Sequence, residues 1–483
     1  MCAKDLLTDA KAYVEEVWDD IERDIDALVR IESVEDLDHA AEGMPFGPAP
    51  RQALDAALGI AERLGLEVGD CDGYLGIAEL PGESEGYLAT IAHSDIVPVG
   101  TGWHFDPLRL IRKDGYLIAR GVRDDKGPLV LSLYAAHYLV RKVRESGKKL
   151  PYTLRCLIGT NEETGMVDVD YYLARYPQPI FCFTPDADFP AICGEKGRVF
   201  VELLSPAIAE KDARILSFAG GAASNAVASD AEAVVVATRD EIVPREGLEI
   251  LSAGKDAQGR SLVKLLVKGR GGHAAMPEGT CSAVGMLCDI LRESGVCTEK
   301  ELAFLDLQKL VFADTRGAAL SVDATDEVFD PLTCAGTVAM LRDDQDGRYL
   351  VQGLDIRYPT STSAEVLGER LNEVAAAHGC KAVVRDASVP FLTSPDSKEV
   401  QTLLSAYHDV FECEGEAFTI GGGTYARHFQ RAVAFGPVPS TTVDPDWVGP
   451  EHGPDEGVSV EIMQRALQTY VVALMRLMEL DLG

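Results

Sequence analysis

Between residues 87 and 186 the chain alternates apolar strand-type runs with amphipathic helical runs. "YLATIAH" (87–93), "YTLRCLIGT" (152–160) and "PIFCFTPD" (179–186) read as strands, and "GPLVLSLYAAHYLVRKVRES" (127–146) and "VDYYLARY" (169–176) as helices. A strand that reaches the next strand through a helix makes a crossover and not a hairpin. The order therefore predicts an α/β fold with a mostly parallel central sheet flanked by helices. It also fixes where a ligand gathers, beyond the carboxyl ends of the strands.

The rest of the chain fits around this unit. Val14, Trp18, Ile21, Ile25 and Leu28 recur at helical spacing and predict a helix over residues 8–32, with a second over 50–65. After "GEKG" (194–197) the texture changes to short strand candidates, such as "SLVKLLVKG" (261–269) and "YLVQGLDIRYP" (349–359), with a helix at 281–294. At 483 residues the chain exceeds what one core fills. The expected division is an α/β domain from 1–197 and 392–483, interrupted by an inserted α+β domain at 198–391. In the last part, Asp396 with Glu399 predicts a capping box for the helix in 394–411, and the final helix is expected over 458–480.

Charge excludes some partners. Lys and Arg number 45 against 78 Asp and Glu, a net −33, which argues against nucleic acid and anionic membrane. No apolar run approaches the roughly 18 residues of a membrane span. The acidic N-terminal stretch does not read as a signal peptide. Eleven cysteines without a CxxC pair fit reduced thiols and a cytoplasmic location.

Polar residues interrupt the chain at each predicted strand end. "GTNEETG" (159–165) sets Glu162 beside Glu163, "AHSDIVP" carries His93 and Asp95, "ARGVRDDKGP" carries Asp124 and Asp125, and "TPDADFP" carries Asp186. His452 lies in "GPEHGPDEG", a loop before the last helix. One such pair is usually an exposed turn. Several at the same sheet edge form a cluster, and clustered buried carboxylates need positive compensation. Metal ions supply it most simply. Zinc takes His nitrogen and carboxylate oxygen and leaves a position open to water, and two zinc ions balance three carboxylates and a hydroxide. The chain has no HExxH, Walker loop or GxSxG, so other common hydrolase and nucleotide chemistries lack support.

The ordered set "HSDIVP", "RGVRDDKG", "NEETG", "TPDADFP…GEKG", "GRGGHAAMPEG" and "GGGTYARHF" resembles the M20 di-zinc metallopeptidases. Within them it is most similar to the PepV-type dipeptidases of bacteria. The resemblance implies a catalytic α/β domain interrupted by a lid domain. It also implies two Zn2+ per chain, with Co2+ or Mn2+ as possible substitutes in such N/O sites. By resemblance Asp124 would bridge the two ions, and the Asp124–Asp125 peptide is expected to be cis. Glu163 and His452 complete one metal, and His93 and Asp186 the other. Asp95 orients the His93 ring, and Glu162 is the general base that takes a proton from water and passes it to the leaving amine. His273 would donate to the oxyanion, and Asn225, Arg357, Gly422, Gly423 and Thr424 would contact substrate. The stretch "EHGPDE" departs from the H-x-x-N-E-like run common in the family, while the spacing of His452 and Glu456 survives. Asp at 186 leans toward aminopeptidase or dipeptidase action. The implied activity is cleavage of small unblocked dipeptides, with a small peptide as the only partner and a monomer or homodimer as the assembly. An N-acyl amino acid amidohydrolase or deacylase of the same family, and a non-catalytic binding protein on this scaffold, are the alternatives.

Overall fold

The computed structural model describes residues 3–344 and 347–482. It divides into two compact units. One takes Met1–Gly194, Leu392–Phe418 and Gly423–Gly483, and the other Glu195–Phe391 with Thr419–Gly422.

The first unit opens on the helix Ala3–Val29, where Leu6, Ala10, Tyr13, Val17, Ile21, Ile25 and Leu28 are buried along one stripe. Pro48 starts the helix Pro48–Leu64, where its missing N–H is no loss, and Gly65 ends it at φ 92°. The helix Lys126–Ser146 is buried on all sides from Lys126 to Ala136, as a helix in the middle of a core must be.

The sheet of this unit runs in the order Glu67–Cys71, Leu75–Leu80, Tyr152–Gly159, Ser84–His93, Phe181–Thr184, Ala432–Ala434 and Ile192–Glu195. The four strands from Tyr152–Gly159 to Ala432–Ala434 are mutually parallel. Leu75–Leu80 and Ile192–Glu195 pair antiparallel on the two flanks. Ser84–His93 is buried without alternation over its last seven residues, the mark of a strand covered on both faces. His93 lies opposite Gly159 in the register, so the polar residues that follow these strands emerge at one edge.

The helix Lys398–Phe411 corrects one expectation. Its cap is Ser397, whose hydroxyl accepts from the Val400 N–H at 3.3 Å, and not an Asp396–Glu399 box. Glu399 is buried and paired with the Arg431 guanidinium, which keeps it from reaching back to the helix start.

The second unit is an antiparallel sheet ordered Leu248–Lys255, Ser261–Lys268, Asp230–Val236, Ile215–Gly220, Thr333–Asp344, Gly347–Tyr358, Gly197–Leu204 and Lys381–Ser388. Gly197–Leu204 alternates buried and half-buried residues along its length. Its buried valines and leucine join a core with the helices Ala283–Ser294, Glu299–Val311 and Ala364–Ala377.

Candidate active site

His93 closes its strand with a fully buried ring. Its Nε2 lies 3.0 Å from Asp124 Oδ1 and 3.6 Å from Asp186 Oδ2, and its Nδ1 lies 3.0 Å from the Asp95 carbonyl. The other Asp124 oxygen, Oδ2, is 2.9 Å from His452 Nε2, which is also 3.1 Å from Glu163 Oε2. Asp124 thus gives one oxygen to each of two imidazoles. The peptide bond between Asp124 and Asp125 is cis. Ligand-type atoms of His93, Asp124 and Glu163 lie within 4.8 Å of one another, as do those of His93, Asp125 and Asp186.

The donor set fits divalent cations. Glu163 Oε1 and Asp125 Oδ1 are buried without a hydrogen-bond partner, and a buried carboxylate oxygen in that state is costly unless a cation faces it. Imidazole nitrogen with carboxylate oxygen suits zinc, cobalt or manganese.

The titration of the cluster follows from crowding anions in a largely buried site. Burial and then the neighbouring acids push Glu162, Asp186 and Asp125 well above the usual carboxylate range, and Glu163 also upward. Burial alone would raise Asp124 as well, but hydrogen bonds from His452 and His93 hold it low. Asp124 and Glu163 raise His452 to about 11. Burial opposes the charge on His93, yet Asp124 and Asp95 keep its pKa well above the ordinary value.

Other residues hold these groups in place. The Asp95 carboxylate lies 3.4 Å from His93 Nδ1. The same carboxylate accepts the Glu162 N–H at 3.2 Å and the Glu163 N–H at 3.1 Å, so it also braces the turn between them. Glu456 is fully buried. It accepts from Arg120 Nη1 at 2.5 Å and from the N–H groups of Arg123 at 3.0 Å and Asp124 at 3.3 Å. Arg120 Nη2 donates to the His452 carbonyl at 3.0 Å, so one ion pair ties the Asp124 loop to the His452 loop. The sequence reading kept Glu456 only as a spacing mark and missed Arg120, whose partner lies 336 positions away. Arg120→Ala leaves the Glu456 charge buried and unpaired. It is expected to lower the unfolding free energy by about 3–5 kcal/mol, measured by urea denaturation. A loss under about 1 kcal/mol, typical of an exposed pair, would refute that role.

The proposed substrate contacts divide between the units. Gly423 and Thr424 belong to the first, where Thr424 is buried and its hydroxyl accepts from the Ala426 N–H at 3.1 Å. Asn225, His273, Arg357 and Gly422 belong to the second. There Ala226 pairs with His273 in a short antiparallel ladder, and the Asn225 carbonyl accepts from Ala274 at 2.8 Å, so Asn225 and His273 are neighbours. Arg357 is buried and not a surface ion pair. Its guanidinium holds the Asp355 carboxylate at 2.6 and 3.3 Å and donates to the Gly421 carbonyl at 3.1 Å. Arg198 Nε also reaches Asp355, at 2.8 Å, and was missed from sequence. Asp355 stands two residues before Arg357 on one strand, so period-2 alternation places both on one face.

A mixed α/β sheet that gathers carboxylates and imidazoles beyond the carboxyl ends of its parallel strands, His93 buried and His452 exposed, offers a site for divalent cations. Residues 89–476 match the family described as Peptidase family M20/M25/M40, and the chain belongs to that family of metallopeptidases. A protein of Bacillus subtilis (strain 168) named "Putative dipeptidase YtjP" is 31% identical over 473 residues, covering 95% of this chain and 97% of that protein. Human carnosine dipeptidase 1 matches 98% of this chain and 100% of its own, with a TM-score of 0.57 at 15% identity. The dipeptidase Dug1p of Saccharomyces cerevisiae matches 98% and 99%, with a TM-score of 0.59 at 11% identity. At those two identities the likeness is one of fold.

Proposed function

We propose that the chain is a two-metal dipeptidase that cleaves small unblocked dipeptides. The observation that carries the reading is Asp124, whose two oxygens face two different imidazoles, as a ligand shared between two cation positions does. His93 and Asp186 would hold one cation, Glu163 and His452 the other. Zinc is the metal we favour, and cobalt or manganese suits the same donors. Cations held there would polarise the scissile carbonyl and make the attacking water more acidic. Glu162 takes the proton of that water and returns it to the leaving amine. Asp95 fixes both glutamates through their N–H groups. His273 is the proposed donor to the developing oxyanion, with Asn225, Arg357, Gly422, Gly423 and Thr424 as substrate contacts.

Dipeptides as substrates are supported by the name of the Bacillus subtilis relative. A cytoplasmic location is supported by ten free cysteines among the described residues, two of them exposed. No described helix is long and apolar enough to cross a membrane.

The test compares one unblocked dipeptide with its N-acetylated form and with a tripeptide. The unblocked dipeptide is expected to be cleaved, with kcat/KM for the acetylated form lower by about 10²-fold or more, because the acetylated form lacks the charged amine that the dipeptidase reading requires. Preference for the acetylated form would make the chain a deacylase. Efficient tripeptide turnover would make it a general aminopeptidase.

A further inference from the structure

The turn that carries Glu162 and Glu163 is anchored by a residue pair outside the acid–imidazole cluster. Asp168, in the first turn of the helix Val167–Leu173, is fully buried. Its Oδ2 accepts three hydrogen bonds: from Thr160 N–H at 2.7 Å, Asn161 N–H at 3.1 Å and the Tyr425 hydroxyl at 2.5 Å. Its Oδ1 accepts from Val169 N–H at 2.8 Å. The two residues before Glu162 therefore hang from one carboxylate, and that carboxylate is held in turn by one phenol.

Tyr425 is also fully buried. Its hydroxyl occupies the space beside Gly159, the last residue of the strand leading into the turn, and a Cβ there would run into it. Its ring meets the His93 ring edge-on, with centroids 6.5 Å apart. Three residues on, His428 Nδ1 lies 2.9 Å from Asp170 Oδ1 on the same helix. The segment after the glycine run is thus fastened twice to the helix that follows the two glutamates.

We propose that Asp168 and Tyr425 are positioning residues for Glu162, and that their hydrogen bond sets the aim of the base by holding the backbone of Thr160 and Asn161. The kinetic part of this inference rests on the dipeptidase reading. The physical reason is tolerance: a displacement of about 1 Å in a reacting group costs about 10²-fold in rate. Asp95 braces Glu162 and Glu163 themselves, so removing the phenol hydroxyl loosens the approach to the turn without freeing the turn entirely.

The experiment uses zinc-loaded wild type, Tyr425→Phe, Asp168→Asn and the double variant. Hydrogen exchange is followed by mass spectrometry on peptides spanning residues 157–166, alongside zinc content, thermal unfolding, kcat and KM on an unblocked dipeptide. Each single variant is expected to keep the zinc content of wild type and to lose kcat by about 10- to 100-fold with KM changed less than about threefold. Exchange should quicken in 157–166 and stay unchanged in the strand Ser84–His93. The double variant should lose no more than the worse single one, because both break one interaction. Unchanged exchange in 157–166 overturns the proposal, and so does loss of zinc together with activity in both single variants, the outcome of a merely structural pair. If Tyr425→Phe does not fold, Asp168→Asn decides by the same readouts. If wild type cleaves no unblocked dipeptide, the dipeptidase reading fails, and the exchange measurement still decides the positioning role.

Discussion

Glu162→Ala is expected to retain the metal content of wild type and to lose kcat by about 10²–10⁴-fold, while Glu163→Ala loses metal first and activity as a result. The two neighbours have different surroundings. Glu163 Oε2 lies 3.1 Å from His452 Nε2, and its Oε1 is buried without a donor, which is how a ligand is placed. Glu162 belongs to neither close set of ligand-type atoms among the described residues. Removing Glu163 opens the coordination and should lower the thermal midpoint of the metal-loaded form, because binding free energy adds to folding free energy. Removing Glu162 takes away only the proton carrier. Elemental analysis and kcat on both variants, side by side, check this. Metal lost from Glu162→Ala, or fully kept by Glu163→Ala, would reverse the roles.

Removing the metal should abolish activity, and zinc, cobalt or manganese should restore part of it. The electrostatics give a second readout. Without cations, His452 holds its proton up to about 11, and burial and mutual repulsion raise the proton affinity of Glu162, Asp186 and Asp125. At neutral pH the empty cluster therefore carries protons that cations must displace. Zinc added to the chelated protein in weak buffer should release protons in step with binding. It should also stabilise the fold by about 4 kcal/mol when free zinc stands at about 1,000 times its dissociation constant. Activity in a fully demetallated sample, or binding without proton release, would refute the cluster as a cation site.

The parts of the fold that were legible in the sequence are those where burial is total. Tyr87–His93 and Lys126–Ala136 are buried without interruption, and their mostly apolar runs mark them as core elements. The candidate ligands were legible for the converse reason. His93, Glu163 and Asp186 are polar residues at the ends of apolar strands, where the chain has no local need for them. The antiparallel flank was not read, because four of the five residues in Glu67–Cys71 are exposed and give no apolar signal. The supporting residues were not read either. Tyr425 meets Asp168 across 257 positions, and no local pattern marks such a pair. The helix cap at Ser397 was misjudged by one residue, since "SPDSKE" offers two acceptors and the pairing of Glu399 with Arg431 excludes one of them. The roles of base, bridge and oxyanion donor came from the family resemblance, and alternation or charge alone would not have assigned them.

The first unit is discontinuous in the chain, and this bears on how the protein is made. Synthesis runs from the N-terminus, so His93, Asp124, Glu163 and Asp186 leave the ribosome before the whole of the second unit, and His452 comes only after it. The brace that joins the Asp124 and His452 loops is equally late, because the Asp124 N–H and the Glu456 carboxylate that accepts it are 332 positions apart. A nascent chain therefore holds every proposed ligand but one, with the loop of the bridging aspartate still unbraced. A site that needs His452 therefore forms only after the whole of the second unit has been synthesised.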